Sequence, residues 1–520
     1  MNTTRRRLIP VVASVLALAV VTIFALWWFR LSHISHNFSG SARVFDVLLF
    51  VGLSYVIWHP IIMEVLAWAV ASHIKDLPPR KPQPGMRVAF ITNFVPGSEP
   101  ISLLKKTLPA MVGVDYRHDT WLLDEGDDPE VKKLCKKYGV LHNSRQGKPR
   151  YNTQGGKFAA KTKGGNHNAW YDIYGHDYDF VAQIDTDFIP TKNFLTKTLG
   201  YFIEPNVAFV GTPQIYGNIN SCVVARGAAE QTYSFYGPFL RGMEGSLLIG
   251  ANHAIRVAAL ESIGHYKAHI TEDLLTGMSL HAAHWKSVYV PEALAIGEGP
   301  STWKSFFNQQ MRWAYGCMDI LFHHSPGLLT KMPMRRSMYY FVLQQYYFGG
   351  VAMVLGILGS ALYFFGGLNV ANLETRSFVI VYIPVLLACL AMSLLLQRFN
   401  IRPNKEKGLM LAGKLVTTAA LPTFFVAFVC VILRKHLVYK VTPKAEKRAI
   451  KHEFGVFVPH LIIVGLGVVE IASSFITHRQ SAVMLFWTVS LTAIMVLLPF
   501  VENVYTVARR VKRYARSFVK

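Results

Sequence analysis

Asp185 and Asp187 lie one residue apart, close behind the apolar run Phe180-Val181-Ala182-Gln183-Ile184 and just ahead of Ile189-Pro190. Two carboxylates at i and i+2 beyond a strand can share a hard divalent cation with a diphosphate. The same pattern also serves as an ordinary loop or helix cap. A second acidic pair, Glu272-Asp273, follows Thr271. One of these carboxylates is a candidate general base for an attacking hydroxyl, and Thr271 is equally placed to cap a helix starting there. The pentapeptide Gln309-Gln310-Met311-Arg312-Trp313 begins 36 residues after Asp273. Its guanidinium can hold a departing diphosphate through paired hydrogen bonds, its indole offers an apolar face to a sugar ring, and its amides suit hydroxyl or phosphate. An amphipathic helix at a membrane surface would use the same arginine and tryptophan at headgroup level.

Two further stretches carry chemistry. Lys161-Thr162-Lys163-Gly164-Gly165-Asn166-His167-Asn168 combines glycines, which let backbone approach a phosphate, with lysine charge. A plain basic loop is its alternative reading, and His167 reads as a packing or hydrogen-bonding residue. Asp124 ends the run Trp121-Leu122-Leu123 and opens Asp124-Glu125-Gly126, which a turn carboxylate would also explain.

These residues need elements to position them. From about Gly85 to His324 the chain has soluble character. Arg87–Thr92, Thr120–Leu123 and Phe180–Ile184 read as buried parallel strands, with Val207–Val210 and Ser287–Val290 as further ones. Strands alternating with helical stretches predict an open α/β sheet, with ligands at the carboxyl ends of its strands. The proline-rich segment Pro78–Pro84 separates this region from what precedes it.

On either side the chain is apolar. Overall it is 52% hydrophobic over 520 residues, too apolar for one soluble domain. Runs at Leu8–Phe29 and Phe45–Ser72 precede the soluble region; runs at about Tyr339–Phe365, Phe378–Leu396, Leu409–Leu433, Val456–Ile476 and Ala482–Val501 follow it. The net charge of +23 gathers beside these runs, at Arg5-Arg6-Arg7, Arg434–Lys451 and Arg509–Lys520. That pattern suits anionic headgroups on the cytoplasmic face of a membrane rather than nucleic acid. If Leu409–Leu433 crossed, the seven basic residues of Arg434–Lys451 would fall opposite the soluble region. We therefore expect an interfacial or re-entrant segment there, interrupted by Lys414 and Pro422, six crossings, and both termini in the cytoplasm. The five cysteines are scattered without a CxxC pair, indicating neither a zinc ribbon nor a disulfide framework. Asn37-Phe38-Ser39 matches a glycosylation sequon too common to weigh heavily.

In this order and spacing the motifs resemble those of membrane-embedded, processive family-2 glycosyltransferases, the group that includes cellulose, chitin and hyaluronan synthases. Lys163, Gly165, Asn166 and Asn168 align with that family's Lys-x-Gly-Asn-x-Asn stretch, and Asp124 with the first residue of its Asp-Asp-Gly corner, Glu125 replacing the second. Thr92 and Glu99 fall, more loosely, where relatives have a donor loop. Gly211-Thr212-Pro213-Gln214 is similar to a segment near donor and acceptor. Tyr439-Lys440-Val441-Thr442-Pro443-Lys444 resembles the Phe-x-Val-Thr-x-Lys gating loop of cellulose synthases. Phe188 departs from the histidine that cellulose synthases commonly carry later in the acidic motif.

The resemblance implies a multi-pass α-helical membrane protein with an inserted cytoplasmic α/β domain of Rossmann-like glycosyltransferase A type. Its divisions would be 1–79 (two helices), 80–325 (catalytic), and 326–520 (membrane region with interfacial helices and a gating loop around 434–453). It implies an inverting enzyme of the inner membrane that polymerises a UDP-sugar, UDP-glucose first, and passes the product through its own helices. Mg²⁺ or Mn²⁺ would sit on Asp185 and Asp187. Thr92, Glu99, Asp124, Lys163, Asp185, Gln309 and Arg312 would bind donor, and Trp313, Gln310 and Glu272 acceptor. Asp273 would be the base, and Tyr439, Val441, Thr442 and Lys444 the lid. Expected partners are the growing polysaccharide, the lipid bilayer, and accessory secretion subunits or a second copy. Alternatives are a hexosamine-containing polymer, a single transfer to a polyprenyl phosphate or lipid, and, more distantly, a transporter with a nucleotide-binding domain. The absence of a GxxxxGK[ST] pattern weighs against the transporter. Arg509 and Arg513 match half of a cyclic di-GMP-binding signature whose other half is missing, so the expectation is independence of that dinucleotide.

Overall fold

The computed structural model describes residues 3–435 and 454–505. Its α/β region is built on seven strands in the order β3-β2-β1-β4-β8-β6-β9. These are β1 (Val88–Phe94), β2 (Asp119–Asp124), β3 (Leu141–Asn143), β4 (Phe180–Gln183), β6 (Val207–Gly211), β8 (His253–Arg256) and β9 (Lys286–Tyr289). Three short strands, β5 (Ile189–Pro190), β7 (Ile215–Tyr216) and β10 (Ala295–Gly297), make a second sheet in the order β5-β10-β7.

β1 is parallel to both β2 and β4. Its side chains alternate between two cores, Val88, Phe90 and Phe94 entering one and Ala89 and Ile91 the other. Burial on both faces is why these strands read as continuous apolar runs. All five expected strands form. The expectation of a parallel sheet needs correction at β8, which runs antiparallel between β4 and β6. β3 and β8 were not anticipated, being short and partly polar. β4 stops at Gln183, so Asp185 sits two residues beyond the strand rather than at its end.

The proline-rich linker is docked onto the domain. Tyr201 donates its hydroxyl proton to the Pro78 carbonyl at 3.1 Å, and a Cβ on Gly200 would stand 2.0 Å from the Arg80 carbonyl oxygen.

Among the described residues, six helical stretches are long and apolar enough to cross a membrane: Gly40–Ala71, Met334–Gly366, Thr375–Phe399, Leu411–Ile432, Gly455–Ile476 and Ala482–Tyr505. The first helix, Thr3–Trp28, packs beside Thr375–Leu396, with Phe24 against Tyr382. Three inter-helix loops gather at one end of the bundle. Asn37 exchanges hydrogen bonds with the Asn369 backbone (2.8 and 2.9 Å), and the Asn372 side chain donates to the Ser32 carbonyl. Arg479 donates to the Phe364 and Phe365 carbonyls. Asn37 of the sequon is thereby engaged at both ends of its amide.

Leu411–Ile432 is one helix that contains Lys414 and Pro422, so neither interrupts it as expected. Near its start, the Gly413 N–H donates to Glu230 Oε2 at 2.9 Å, and a Cβ on Gly227 would meet Val416 at 2.4 Å. Near its end, Phe428 packs on Phe322 and Phe348. Both ends therefore touch elements joined to the α/β domain, while the middle packs on helix Gly349–Gly366, where a Cβ on Gly350 would stand 2.7 Å from the Leu421 carbonyl oxygen. The gating-loop residues Tyr439, Val441, Thr442 and Lys444, and the basic tail after Tyr505, lie outside the described residues.

Candidate active site

Helix Lys163–Tyr174 starts beside the turn that follows β4. Thr162 caps it, its hydroxyl accepting the Gly165 N–H at 3.1 Å. Lys163 Nζ then donates to Asp185 Oδ1 at 2.6 Å and to the Gly250 carbonyl at 2.5 Å. Asp187 is buried and accepts the Glu298 N–H on Oδ2 at 3.2 Å. Between the two aspartates, Thr186 donates its hydroxyl proton to Glu99 Oε1. Burial pushes the Glu99 carboxyl up to about 7, with Asp185 and Asp187 adding to the rise against the bonds from Thr186 and Val95.

Gly250 joins this cluster to the second acidic pair. Its carbonyl accepts from Lys163 and from Gln183 Nε2 (2.9 Å), while its N–H donates to Asp273 Oδ2 at 2.5 Å. Asp273 Oδ1 accepts the Leu274 N–H at 2.8 Å. Both acids open helix Glu272–Ala282. Thr271 occupies the capping position but makes no capping bond; its hydroxyl contacts His269 Nδ1 instead. Burial and then Asp273 push the Glu272 carboxyl up to about 7, while Lys163 and Arg312 pull against them.

Gln309, Gln310, Arg312 and Trp313 lie on helix Trp303–Asp319, which starts in a capping box between Thr302 and Ser305. Gln310 and Gln231 pair through their amides (3.2 Å), and Gln231 donates to the Tyr346 hydroxyl at 2.9 Å.

One cavity of about 1690 Å³ is lined by Glu99, Lys163, Asp185, Asp187, Glu272, Asp273, Gln309, Gln310, Arg312 and Trp313. It continues past Gln231 and Tyr346 to Ser360, Tyr382, Glu470, Trp487 and Thr492 of the apolar helices. Pockets for small ligands occupy roughly 300–1,000 Å³, so this volume exceeds what one small molecule needs.

Two expected donor residues do not line it. Thr92 is fully buried within β1. Asp124 is fully buried too, its oxygens taken by the Gly126 N–H (2.9 Å), the Asp128 N–H (2.8 Å) and His142 (3.2 Å). The turn-carboxylate alternative describes that geometry, and Glu125 and Gly126 face the cavity instead. Asn168 is used structurally, bonding Lys157 and both backbone polar groups of Tyr266. His167 bonds Asn93 and is held well below its ordinary range by burial, as fits a packing residue.

Sequence reading missed Gly250, Gln231 and Arg145. Buried Arg145 donates to Glu125 Oε1 (2.8 and 3.0 Å) and to the carbonyls of Tyr151, Ala159 and Thr162, pinning the loop that ends at Lys163. An isolated arginine between polar residues gives no signal in sequence.

The mixed sheet and the acidic turn beyond β4 make an α/β domain joined to helices long and apolar enough to cross a membrane. Residues 180–396 match the model for glycosyl transferase family group 2. The chain is 33% identical over 171 residues to a UDP-forming cellulose synthase catalytic subunit from Dictyostelium discoideum, covering 31% of this chain and 16% of that protein. It is 29% identical over 239 residues to a probable glucomannan 4-beta-mannosyltransferase of Oryza sativa subsp. japonica (44% and 40% covered). A cellulose synthase catalytic subunit from Komagataeibacter sucrofermentans is 24% identical over 290 residues (53% and 37% covered). These matches span less than half of each relative's length. Among solved structures, a Pyrobaculum calidifontis mannosyltransferase in complex with GDP-Man and Mn²⁺ aligns over 75% of this chain and 99% of its own, at TM-score 0.47 and 11% identity.

Proposed function

We propose that this chain is an inverting, processive glycosyltransferase that extends a β-linked polysaccharide from a UDP-sugar, UDP-glucose first, and guides the product between its own membrane helices. The observation that carries this reading is the continuous cavity, which runs from Asp185 and Asp187, past Asp273 and Trp313, to Glu470 and Thr492.

Asp273 is the base. With one backbone N–H on each oxygen, its carboxylate is fixed in place, and an ionised carboxylate only accepts hydrogen bonds. It takes the proton of the acceptor hydroxyl as that oxygen attacks the anomeric carbon of the donor. The bond from that carbon to the diphosphate breaks on the opposite side, which inverts the configuration. Arg312 and Lys163 stabilise the departing diphosphate. Trp313 stacks on the acceptor sugar, while Gln310 and Glu272 bond its hydroxyls. The uncharged relay Gln310–Gln231–Tyr346 offers sugar hydroxyls donors and acceptors where the cavity leaves the α/β domain.

The acidic turn fits a divalent metal: Asp185 and Asp187 face one cavity, and their field helps hold a proton on Glu99. Mg²⁺ or Mn²⁺ on Asp185 and Asp187 would neutralise charge on the diphosphate. The domain would face the cytoplasm, with residues 80–325 catalytic and the three joined loops across the membrane.

The test supplies the full-length chain in membranes with UDP-glucose, UDP-N-acetylglucosamine or GDP-mannose, and analyses product length and linkage. A β-linked polymer made from UDP-glucose supports the reading. A lipid carrying a single sugar would overturn processivity, and polymer made from another donor would overturn the choice of sugar.

A further inference from the structure

Away from the cavity, the last turns of the helix carrying Arg312 and Trp313 meet the loop leading to Glu272 and Asp273 through histidines and one carboxylate. A ring nitrogen of His269, a carboxylate oxygen of Asp319 and a ring nitrogen of His324 all lie within 4.8 Å of one another, the one such cluster among the described residues. His269 Nε2 is 2.9 Å from Asp319 Oδ2, and His323 Nδ1 is 2.9 Å from Asp319 Oδ1. The His269 and His324 rings meet edge to face at 5.6 Å. None of these four residues lines the cavity.

We infer that His269, Asp319 and His324 form a second divalent-cation site, of the kind that takes Zn²⁺, clamping the end of the Gln309–Trp313 helix to the catalytic loop. Donor chemistry selects the ion: two imidazoles and one carboxylate suit Zn²⁺, whereas Mg²⁺ and Ca²⁺ prefer oxygen alone. Ligand atoms about 2.0–2.1 Å from a tetrahedral zinc stand roughly 3.3 Å apart. The cluster therefore has to contract by no more than about 1.5 Å, within reach of side-chain rotation. Water, or His323 after rotation, takes the fourth position.

The outer contact is already present. His269 Nδ1 is 3.0 Å from Thr271 Oγ1 and 3.1 Å from the Thr271 N–H. With Nε2 protonated toward Asp319, Nδ1 accepts the Thr271 N–H. With Nε2 bound to metal, the proton moves to Nδ1 and is donated to Thr271 Oγ1, the outer-shell bond that orients a ligating imidazole. Thr271 also abuts the helix directly, since a Cβ on Gly316 would stand 2.4 Å from its hydroxyl oxygen. Metal would thus tie together two segments that already touch.

The test uses full-length, untagged protein stripped with chelator and titrated with Zn²⁺ against a chromophoric competitor. A parallel Asp185→Asn/Asp187→Asn variant removes the acidic turn as a source of binding. Both proteins should retain one tight equivalent. His324→Gln and His269→Gln should each weaken it by at least about tenfold, the lower end of what losing even an outer-shell partner costs. Co²⁺ should give four-coordinate ligand-field bands in the first two proteins and not in the histidine variants. Zn²⁺ should raise the thermal midpoint of the parent and leave that of His324→Gln unmoved, and their metal-free midpoints report whether the variant is folded. Undiminished uptake by both histidine variants, loss confined to the acidic-turn variant, or no saturable uptake by the parent would each overturn the site.

Discussion

Replacing Asp273 by asparagine separates catalysis from architecture, and the structure sets the size of both effects. Asp273 accepts the Gly250 N–H on one oxygen and the Leu274 N–H on the other. Asparagine keeps one oxygen and turns an NH₂ group toward the second amide, so one charge-assisted bond is lost, worth roughly 1.5–3 kcal/mol. That cost falls on stability and lowers the unfolding midpoint. On the proposed base assignment the rate falls separately, by about 10²-fold or more, because no group would remain to take the acceptor proton.

Donor binding is the discriminating measurement, because Gly250 links the two sides of the site. If the new amide displaces Gly250, the Lys163 ammonium held on its carbonyl moves as well. We expect polymer synthesis to fall at least about 100-fold, while donor affinity, read by calorimetry with Mn²⁺ and UDP-glucose, stays within about threefold, or roughly 0.7 kcal/mol. A loss of affinity as large as the loss of turnover would refute the base assignment and make Asp273 a structural tie between Gly250 and the helix start.

Gly165→Ala should weaken donor binding by tenfold or more, roughly 1.4 kcal/mol, because its Cβ would stand 2.2 Å from the Ala159 carbonyl and 2.8 Å from Arg145. Gly155→Ala, with nothing within 4 Å, is the control and should bind donor normally. The raised Glu99 carboxyl gives a pH signature: it holds its proton more tightly folded (about 7) than unfolded (about 4.5), so its stabilisation is complete below about pH 4.5 and lost as pH rises through 7. That difference is on the order of 3 kcal/mol. With chelator present, the parent's thermal midpoint should fall across this window relative to Glu99→Gln, and parallel profiles would count against it. Cysteines placed at Ser41 and Glu374 should label from one side of the membrane and one at Thr442 from the other; finding Thr442 with the first two would sink the proposed orientation and the lid together.

What was legible in the sequence follows from how locally each feature is encoded. β1, β2 and β4 announce themselves because a strand buried on both faces must be apolar at every position. The acidic turn, Lys163 and the Gln309–Trp313 segment are legible as residue types, and the fold brings them to one cavity. Gly250 was not, because it acts through its backbone: any residue has a carbonyl and an N–H, and only the tertiary path between Gln183 and Asp273 gives these two their partners. Asp124 carries a signal with two readings. A carboxylate at a strand end suits a donor contact and a turn alike, and here its oxygens accept two backbone amides of the next turn.

Helix Leu411–Ile432 shows where composition alone cannot decide. Its residues are apolar enough to span a bilayer, and Pro422 does not break it. Its path is set by contacts that hydropathy does not measure. Gly227 and Gly413 remove the side chains that would hold it away from helix Val223–Ser234, and Glu230 accepts its early Gly413 N–H. Phe428 then seats its far end on Phe322, beyond the end of the helix bearing Trp313. Gly413, Lys414, Thr417, Leu421 and Phe424 of this helix line the cavity together with Gln231 and Gln310. A polymer following the proposed route would pass these side chains.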